Sequence, residues 1–339
     1  MKYSIIIATY NRLAELKELI QSVEAFEFPK DHFELLISDD GSNDGTKEYI
    51  DEISQKTSIN LPYISQANKG PGAARNHGME KAKGDYFIFI DSDCIIPADY
   101  LNKIDAAVTA HQYDAFGGPD TYHPSFSPLL KAINYSMTSF IGTGGTRGSE
   151  KSVAKFYPRS FNMGIHRTVF ETIGGMGELR HGQDMDFSAR IYDAGFKVGL
   201  ISNAFVYHKR RTSLWKFFKQ IFNWGVARIN LSKKHPSMLK PIHFAPAFVF
   251  YAALAVLLVA PFLPFGEILL GLLFGGVIFV ALFAFLQSLF VYKNIQVAFL
   301  SIITLFLQVF AYALGTSSGL WQMLRGKNEA KGFTRNYYK

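Results

Sequence analysis

Apolar runs and amphipathic stretches alternate along the first half of the chain. Ser4-Ile5-Ile6-Ile7-Ala8 reads as a strand and leads into the polar turn Thr9-Tyr10-Asn11-Arg12. Leu13, Leu16, Leu19, Ile20 and Val23 then recur at helical spacing. Leu35-Leu36-Ile37 predicts a second strand. It runs into the acidic turn Ser38-Asp39-Asp40-Gly41-Ser42-Asn43-Asp44-Gly45-Thr46 and a helix start for which Asp44 or Thr46 is the expected cap. Residues 68–76 open another helix, running to about residue 83, and residues 86–90 are apolar enough for a buried strand. A further strand is expected at residues 197–201. Strands alternating with helices predict an α/β domain with a mostly parallel sheet.

After residue 243 the pattern changes. Three apolar stretches follow, at about 244–263, 268–291 and 295–320. Each is near the roughly twenty residues that cross a bilayer. Prolines 246, 261 and 264 bracket or break the first, and Gln287 and Gln308 are among the few polar groups inside. Before these stretches Lys209, Arg210, Arg211, Lys216, Lys219, Arg228, Lys233, Lys234 and Lys240 occur with no acid between them. Leu214, Phe217, Phe218, Ile221, Val226 and Ile229 interleave them at a roughly helical period. Such a segment fits an anionic membrane surface better than nucleic acid, although Arg210 or Arg211 could instead reach a diphosphate. The basic run places the preceding domain inside, and Lys293 agrees. Three crossings would put the tail outside, yet Arg325, Lys327, Lys331, Arg335 and Lys339 against the single acid Glu329 argue for inside. Either one stretch does not cross fully or the charge rule fails.

Composition adds little to this picture. The formal charge of the 339 residues is +7, and 48% are hydrophobic. No leader-like segment precedes the first strand. Cys94 is the only cysteine, so no disulfide within the chain is possible. A cytoplasmic catalytic domain is expected, with Cys94 as a small buried residue.

The chemistry centres on Asp91-Ser92-Asp93, which leaves the end of the strand at 86–90. Ligands of open α/β sheets bind at such strand ends. Two carboxylates one residue apart can hold a divalent cation, Mg²⁺ or Mn²⁺, against a diphosphate. The stretches 5–12, 38–46, 68–76 and 91–93, together with Gly182-Gln183-Asp184-Met185-Asp186-Phe187, Arg190 and Ala194-Gly195-Phe196, resemble glycosyltransferase family 2 in the same order. The resemblance covers about residues 1–230. It implies a GT-A fold, a Rossmann-like nucleotide-sugar-binding domain with a mostly parallel sheet, followed here by an α-helical membrane region.

The resemblance also implies roles. Asp40, with Asp39 beside it, would contact the nucleobase, which favours a uridine donor. Thr9, Tyr10, Arg12, Arg75 and Asn76 would line the nucleotide, with arginine suited to paired hydrogen bonds to phosphate. Asp93 would hold the cation; Asp91, with Ser92 between them, would hold the ribose or a metal-bound water. His208 completes the metal site in some relatives. Asp184 would be the general base of a single inverting displacement, with Asp186 as the alternative. Gln183 stands where glutamate is common. Gln220-Ile221-Phe222-Asn223-Trp224 is similar to the Gln-x-x-Arg-Trp motif of processive synthases but lacks its arginine. Trp224 is either an acceptor platform or an interfacial anchor, and Asn162 falls in the acceptor-side region.

Residues 121–158 read as an insertion. It has an amphipathic part (Phe126, Leu129, Leu130, Ile133, Met137) and a glycine-rich loop at 141–148, either an acceptor lid or a plain connector. The expected organisation is a catalytic domain at 1–208, a basic interfacial segment at 209–240, a membrane region at 241–322 and a basic tail at 323–339. The expected activity is transfer of a sugar, from a nucleotide diphosphate to a lipid-linked or saccharide acceptor, at the cytoplasmic membrane. The expected partners are thus the donor, the acceptor and the membrane, and no nucleic acid. A processive polysaccharide synthase and a catalytically inactive nucleotide-sugar-binding protein remain as alternatives.

Overall fold

The computed structural model describes residues 2–143, 155–179 and 181–333. In chain order the strands are β1 (Tyr3–Thr9), β2 (Phe33–Asp39), β3 (Tyr63–Ser65), β4 (Tyr86–Asp91), β5 (Cys94–Ile95), β6 (Ala115–Gly117), β7 (Asp120–Thr121), β8 (Asn162–His166), β9 (Val198–Leu200) and β10 (Val206–His208). The helices are α1 (Leu13–Glu24), α2 (Thr46–Ile53), α3 (Pro71–Lys81), α4 (Tyr100–His111), α5 (Pro128–Thr138), α6 (Phe140–Thr143), α7 (Arg167–Ile173), α8 (Gln183–Asp193), α9 (Leu214–Lys234), α10 (Ala245–Val259), α11 (Gly266–Tyr292) and α12 (Ile295–Leu324). Two compact units result. Of the described residues, the first holds 2–124, 155–179 and 181–209, and the second holds 125–143 and 210–333.

The first unit is built on a seven-stranded sheet of order β3-β2-β1-β4-β8-β6-β9. β3, β2, β1 and β4 run parallel. β8 runs antiparallel to both β4 and β6, and β9 is parallel to β6. The mostly parallel sheet expected from the alternating pattern is therefore present. Period-two alternation decides which residues face which layer. Ile5, Ile7, Leu35, Ile37, Ile88 and Ile90 pack with α1 and α4 on one face. Ile6, Leu36, Phe87 and Phe89 pack with Met79 of α3 and Phe187 and Ile191 of α8 on the other. Each such side chain contributes about 1.5–3 kcal/mol when fully buried, so both faces are closed to polar chemistry and only the strand ends remain for it. A second, three-stranded sheet has the order β5-β10-β7, with β10 antiparallel to β5 and parallel to β7. No periodicity announces strands this short.

The acidic turn after β2 differs from expectation in its capping. The N-cap of α2 is Gly45, and no side chain caps that helix. Asp44 instead accepts a hydrogen bond from Leu13 N at the head of α1 (2.9 Å) and one from Thr46 Oγ1 (2.6 Å). It therefore caps a helix far from it in sequence, which a local reading cannot detect.

In the second unit α9 lies along α12. A Cβ at Gly315 would come within 2.1 Å of the Phe222 carbonyl oxygen, and one at Gly225 within 2.6 Å of Thr316 N. Both positions are small because the two backbones touch. α5 packs on the other half of α12, where Ser136 Oγ and Thr304 Oγ1 are 2.6 Å apart. Residues 144–154 and 334–339 lie outside the described residues, and with them most of the glycine-rich loop, Arg335 and Lys339.

Burial pushes the Asp44 carboxyl up, but the Thr46 hydroxyl and backbone N–H groups outweigh it and hold its pKa below the usual range. Its contribution to stability is thus present above the unfolded-state pKa and is lost as pH falls through the folded-state value. Asp44→Ala is expected to cost about 1 kcal/mol, read as a lower midpoint in thermal unfolding at neutral pH, with the difference from the parent protein shrinking towards pH 3.

Candidate active site

Parallel pairing carries the C-terminal ends of β1, β2 and β4 to one edge. The register sets Thr9 opposite Asp39 and Ala8 opposite Asp91. Thr9 is buried there, and its hydroxyl has no hydrogen-bond partner among the described residues. Asp39 accepts from Ser42 N and from Tyr63 Oη, each at 2.8 Å. Asp40 accepts from Gln66 Nε2 (2.8 Å), Lys69 N (2.9 Å) and Gly70 N (2.7 Å). A carboxylate offers about four acceptor positions. Asp40 therefore shapes the turn that opens α3 and keeps little capacity for a base.

The two α3 residues singled out from the sequence point to different places. Arg75, 7% exposed, donates from Nη2 to Asp91 Oδ1 at 2.6 Å, and its Nε has no partner among the described residues. This is a charge-assisted bond inside the strand-end cluster. Asn76 is turned towards the loop after α7. Its amide donates to Met176 O (3.0 Å) and accepts from Met176 N (2.7 Å). Arg12 lies just ahead of α1 and pairs with Glu15 at 2.8 Å, with Tyr10 half-buried nearby in sequence. Ser92 is buried between the two acids.

Asp93 joins a second constellation, assembled by the small sheet. β10 sets His208 opposite Cys94 of β5, and β7 lies on its other side. His208 Nε2 stands 3.2 Å from Asp93 Oδ1, and Nδ1 stands 3.2 Å from Asp120 Oδ2. The Asp120 side chain is completely enclosed. Burial pushes the imidazole pKa down, but the two carboxylates outweigh it and raise it to about 9. Asp93, Cys94 and His208 each offer a possible ligand atom, all within 4.8 Å of one another. The Cys94 thiol is buried, and burial followed by the charges of Asp93 and Asp91 pushes its pKa well up. A protonated sulfur is a poor ligand for a hard cation. Asp93 and His208, the latter once a bound cation has displaced its proton, fit Mg²⁺ or Mn²⁺, with Asp91 on the same turn. Sequence reasoning missed Asp120, because it meets His208 across 88 positions and carries no motif.

The first turn of α8 carries the remaining acids. Asp184 is half-buried and its Oδ1 accepts from Met185 N at 2.9 Å. Asp186 is buried and takes a bond from Arg190 Nε at 3.2 Å. Arg190 also donates to the carbonyls of Ile173 and Gly175, so Asp186 and Arg190 fasten α8 to that loop. Gln183 donates to Gly177 O at 3.1 Å and lies over the start of α3, where a Cβ at Gly72 would come within 2.6 Å of its amide.

The residues named for the acceptor side are placed differently. Asn162 is buried at the start of β8; it accepts from Tyr100 Oη (2.6 Å) and donates to the carbonyls of Ala204 (2.8 Å) and Pro119 (3.2 Å). All three bonds are structural. Trp224 belongs to the second unit, half-buried on α9 beside a cluster that includes Phe217 and Ile221. Asn223, where an arginine would mark a processive synthase, accepts from Phe333 N at 2.9 Å.

A family model described as Glycosyl transferase family 2 matches residues 4–174. The poly(ribitol-phosphate) beta-N-acetylglucosaminyltransferase TarS of Staphylococcus aureus is 32% identical over 114 residues, which is 34% of this chain and 20% of TarS. This chain thus spans one fifth of the length of that relative. Glycosyltransferase AglE of Haloferax volcanii is 27% identical over 243 residues, covering 68% of this chain and 76% of AglE. Among solved structures, the mannosyltransferase PcManGT from Pyrobaculum calidifontis, in complex with GDP-Man and Mn²⁺, superposes with a TM-score of 0.64 at 16% identity, over 95% of this chain and 87% of that one. That likeness establishes a shared fold.

Asp120→Asn is expected to lower the His208 pKa from about 9, measured by NMR titration of the imidazole, and to weaken Mn²⁺ binding about 10–100-fold, measured from the EPR signal of free Mn²⁺. The raised pKa also gives a sign. With chelator present, the stabilisation from His208 is complete below its ordinary value of 6.5 and is lost as pH rises through about 9.

Proposed function

The chain belongs to glycosyl transferase family 2, and we propose that it is an inverting, divalent-cation-dependent transferase that moves a sugar from a nucleotide diphosphate to an acceptor presented at a membrane face. The observation that carries this reading is the Asp93–His208 pair at the end of β4, beside Asp91 and Arg75. Asp93 and His208 would hold the cation, with Asp91 on the same turn. The cation would supply positive charge against the leaving diphosphate. Asp120 holds the imidazole in the orientation that presents Nε2 to Asp93. Arg75, steadied by Asp91, would give phosphate oxygen its Nε, which has no partner among the described residues. Thr9 offers its hydroxyl at the same edge.

Asp184 is the proposed base. It is more accessible than Asp186, and among the described residues Asp186 is paired with Arg190. The acceptor hydroxyl would give its proton to Asp184 as its oxygen attacks the anomeric carbon and the bond to the diphosphate breaks. One displacement inverts that carbon and needs no covalent enzyme intermediate. A uridine donor would have to use the one acceptor position that Asp40 keeps beside its three bonds to the turn. PcManGT holds GDP-Man and Mn²⁺, which supports a nucleotide-sugar donor and a divalent cation.

Membrane attachment is supported by length and composition. Pro241–Phe262, Gly266–Tyr292 and Ile295–Leu324 are each long and apolar enough to cross a bilayer. A lipid-linked saccharide or polyprenyl phosphate at the cytoplasmic face fits this arrangement, because attachment beside the acceptor raises its effective concentration. The role is single transfer in the assembly of an envelope polysaccharide. Processive polymerisation is disfavoured by Asn223, which binds the tail instead.

Membranes carrying the protein are to be incubated with a panel of nucleotide sugars, Mg²⁺ or Mn²⁺, and lipid extract, and the released nucleoside diphosphate measured. Release is expected with one donor only, dependent on cation and lipid. Asp93→Ala is expected to abolish it, and Asp184→Asn to reduce it about 10²–10⁴-fold with nucleotide binding retained. Undiminished transfer by Asp184→Asn would remove the assigned base, and binding of nucleotide without turnover of any donor would favour an inactive binding protein.

A further inference from the structure

The third apolar helix differs from the other two. Only 6% of the most apolar stretch of Pro241–Phe262, which contains α10, and 6% of that of α11, is buried inside the structure, against 39% for α12. One face of α12 is covered almost from end to end. Val297, Ser301, Thr304, Ala311, Gly315 and Gly319 are buried at helical spacing. From Val297 to Gly319 the helix rises about 33 Å, roughly the thickness of bilayer hydrocarbon.

The elements that cover this face are not membrane-spanning. Near its start lies α5, where Thr304 Oγ1 donates to Ala132 O at 3.1 Å. Further along lies α9, which carries Lys216, Lys219, Arg228, Lys233 and Lys234. Cations in such number are too costly to follow α12 across hydrocarbon. The opposite face of α12 is apolar and exposed, with Ile295, Phe299, Ile303, Phe306, Phe310 and Leu324 in one stripe. Polar contacts on one face and lipid-compatible side chains on the other describe a helix lying in an interface.

Both ends of α12 are tied to the neighbourhood of α9. At its start, Tyr292 Oη accepts from Asn134 Nδ2 at 2.9 Å, and Asn134 Oδ1 accepts from the Arg210 guanidinium at 3.1 Å, just ahead of α9. Beyond its end, the segment 327–333 folds back along α9. Asn230 donates to Ala330 O and accepts from Ala330 N, both at 2.8 Å. Gln322 bonds Lys331 in the same two-way fashion, at 2.9 and 3.0 Å. Asn223 accepts from Phe333 N, and the Phe333 ring stands edge-on to Phe222 with centroids 4.7 Å apart.

α10 and α11 meet α12 at different points. Tyr251 Oη of α10 donates to Ser317 Oγ at 2.8 Å, and Ser288 Oγ of α11 is 2.7 Å from Ser301 Oγ. Between them the turn Pro261-Phe262-Leu263-Pro264-Phe265 carries no charge, and Phe262 is 86% exposed.

We infer that α12 does not cross the bilayer: it lies in the interface with α5 and α9, while α10 and α11 form a hairpin that enters the lipid from that side and returns to it. The inference rests on the membrane attachment proposed above and adds its geometry. The chain then passes the bilayer an even number of times, and the basic clusters of α9 and of the tail (Arg325, Lys327, Lys331) face the anionic headgroups of one leaflet.

Single cysteines at Ser237, Lys293, Asn328 and, separately, Glu329 in the full chain test this, since Cys94 is buried. Each variant is treated with a membrane-impermeant maleimide in sealed vesicles of either orientation. Labelling of all four from the same side is expected. Labelling of 328 and 329 from the side opposite 237 and 293 means three crossings and overturns the inference. Labelling of 293 alone from the opposite side makes α11 and α12 the spans and overturns it equally. Release of the unmodified protein from membranes by alkaline carbonate would instead refute membrane insertion itself, and with it the reading on which the inference rests.

Discussion

Burial of both sheet faces is the constraint on which the first unit depends. β1, β2 and β4 are apolar through their middles because helices cover them on either side. Polar side chains gather at the strand ends: Ser4 and Glu34 pair with each other where β1 and β2 begin, and the acids stand where the strands stop. Parallel pairing then makes all three stop at one edge. Thr9, Asp39, Asp40 and Asp91 are neighbours for that reason, although up to 82 positions separate the first from the last. The cluster follows from hydrophobic burial and strand direction together, and neither alone would assemble it.

Much of this was legible before any coordinates. The four leading strands, the helices between them and the strand-end acids all carry strong local signals: uninterrupted apolar runs, glycine-bearing turns and helical periodicity. What was not legible is what depends on contact between distant short segments. β5, β7 and β10 have two or three residues each, too few for a period to show, yet they bring Asp93, Asp120 and His208 together. Asp44 looked like the cap of the helix that follows it and serves another. Asn76 and Asn162 have the composition of binding residues, but their amides are taken up by backbone groups of the core. A side chain's type is visible in a sequence; which partner reaches it first is not.

The second unit shows the same division at larger scale. Length and hydropathy mark three apolar helices without distinguishing them. The distinction comes from small and polar residues on one face of α12, and those have meaning only once α5 and α9 are seen against them. Asn223 shows how a departure from a motif can have its own structural logic: where a relative would place an arginine, this chain places an amide that secures its own tail.

The path of the chain between the units has a consequence for dissecting the molecule. Residues 125–143 leave the first unit to supply α5 to the second, and the chain then returns to build β8, α7, α8 and the last strands. A fragment ending at Lys209 would keep α5 but lose α9, α11 and α12, on which it packs. Ile133 and Met137, both buried against Phe217, Ile221 and Ala311, would face water. Separating the catalytic part as a soluble piece therefore requires an excision in mid-sequence as well as a shorter C-terminus, because among the described residues the chain crosses the boundary between the two units three times.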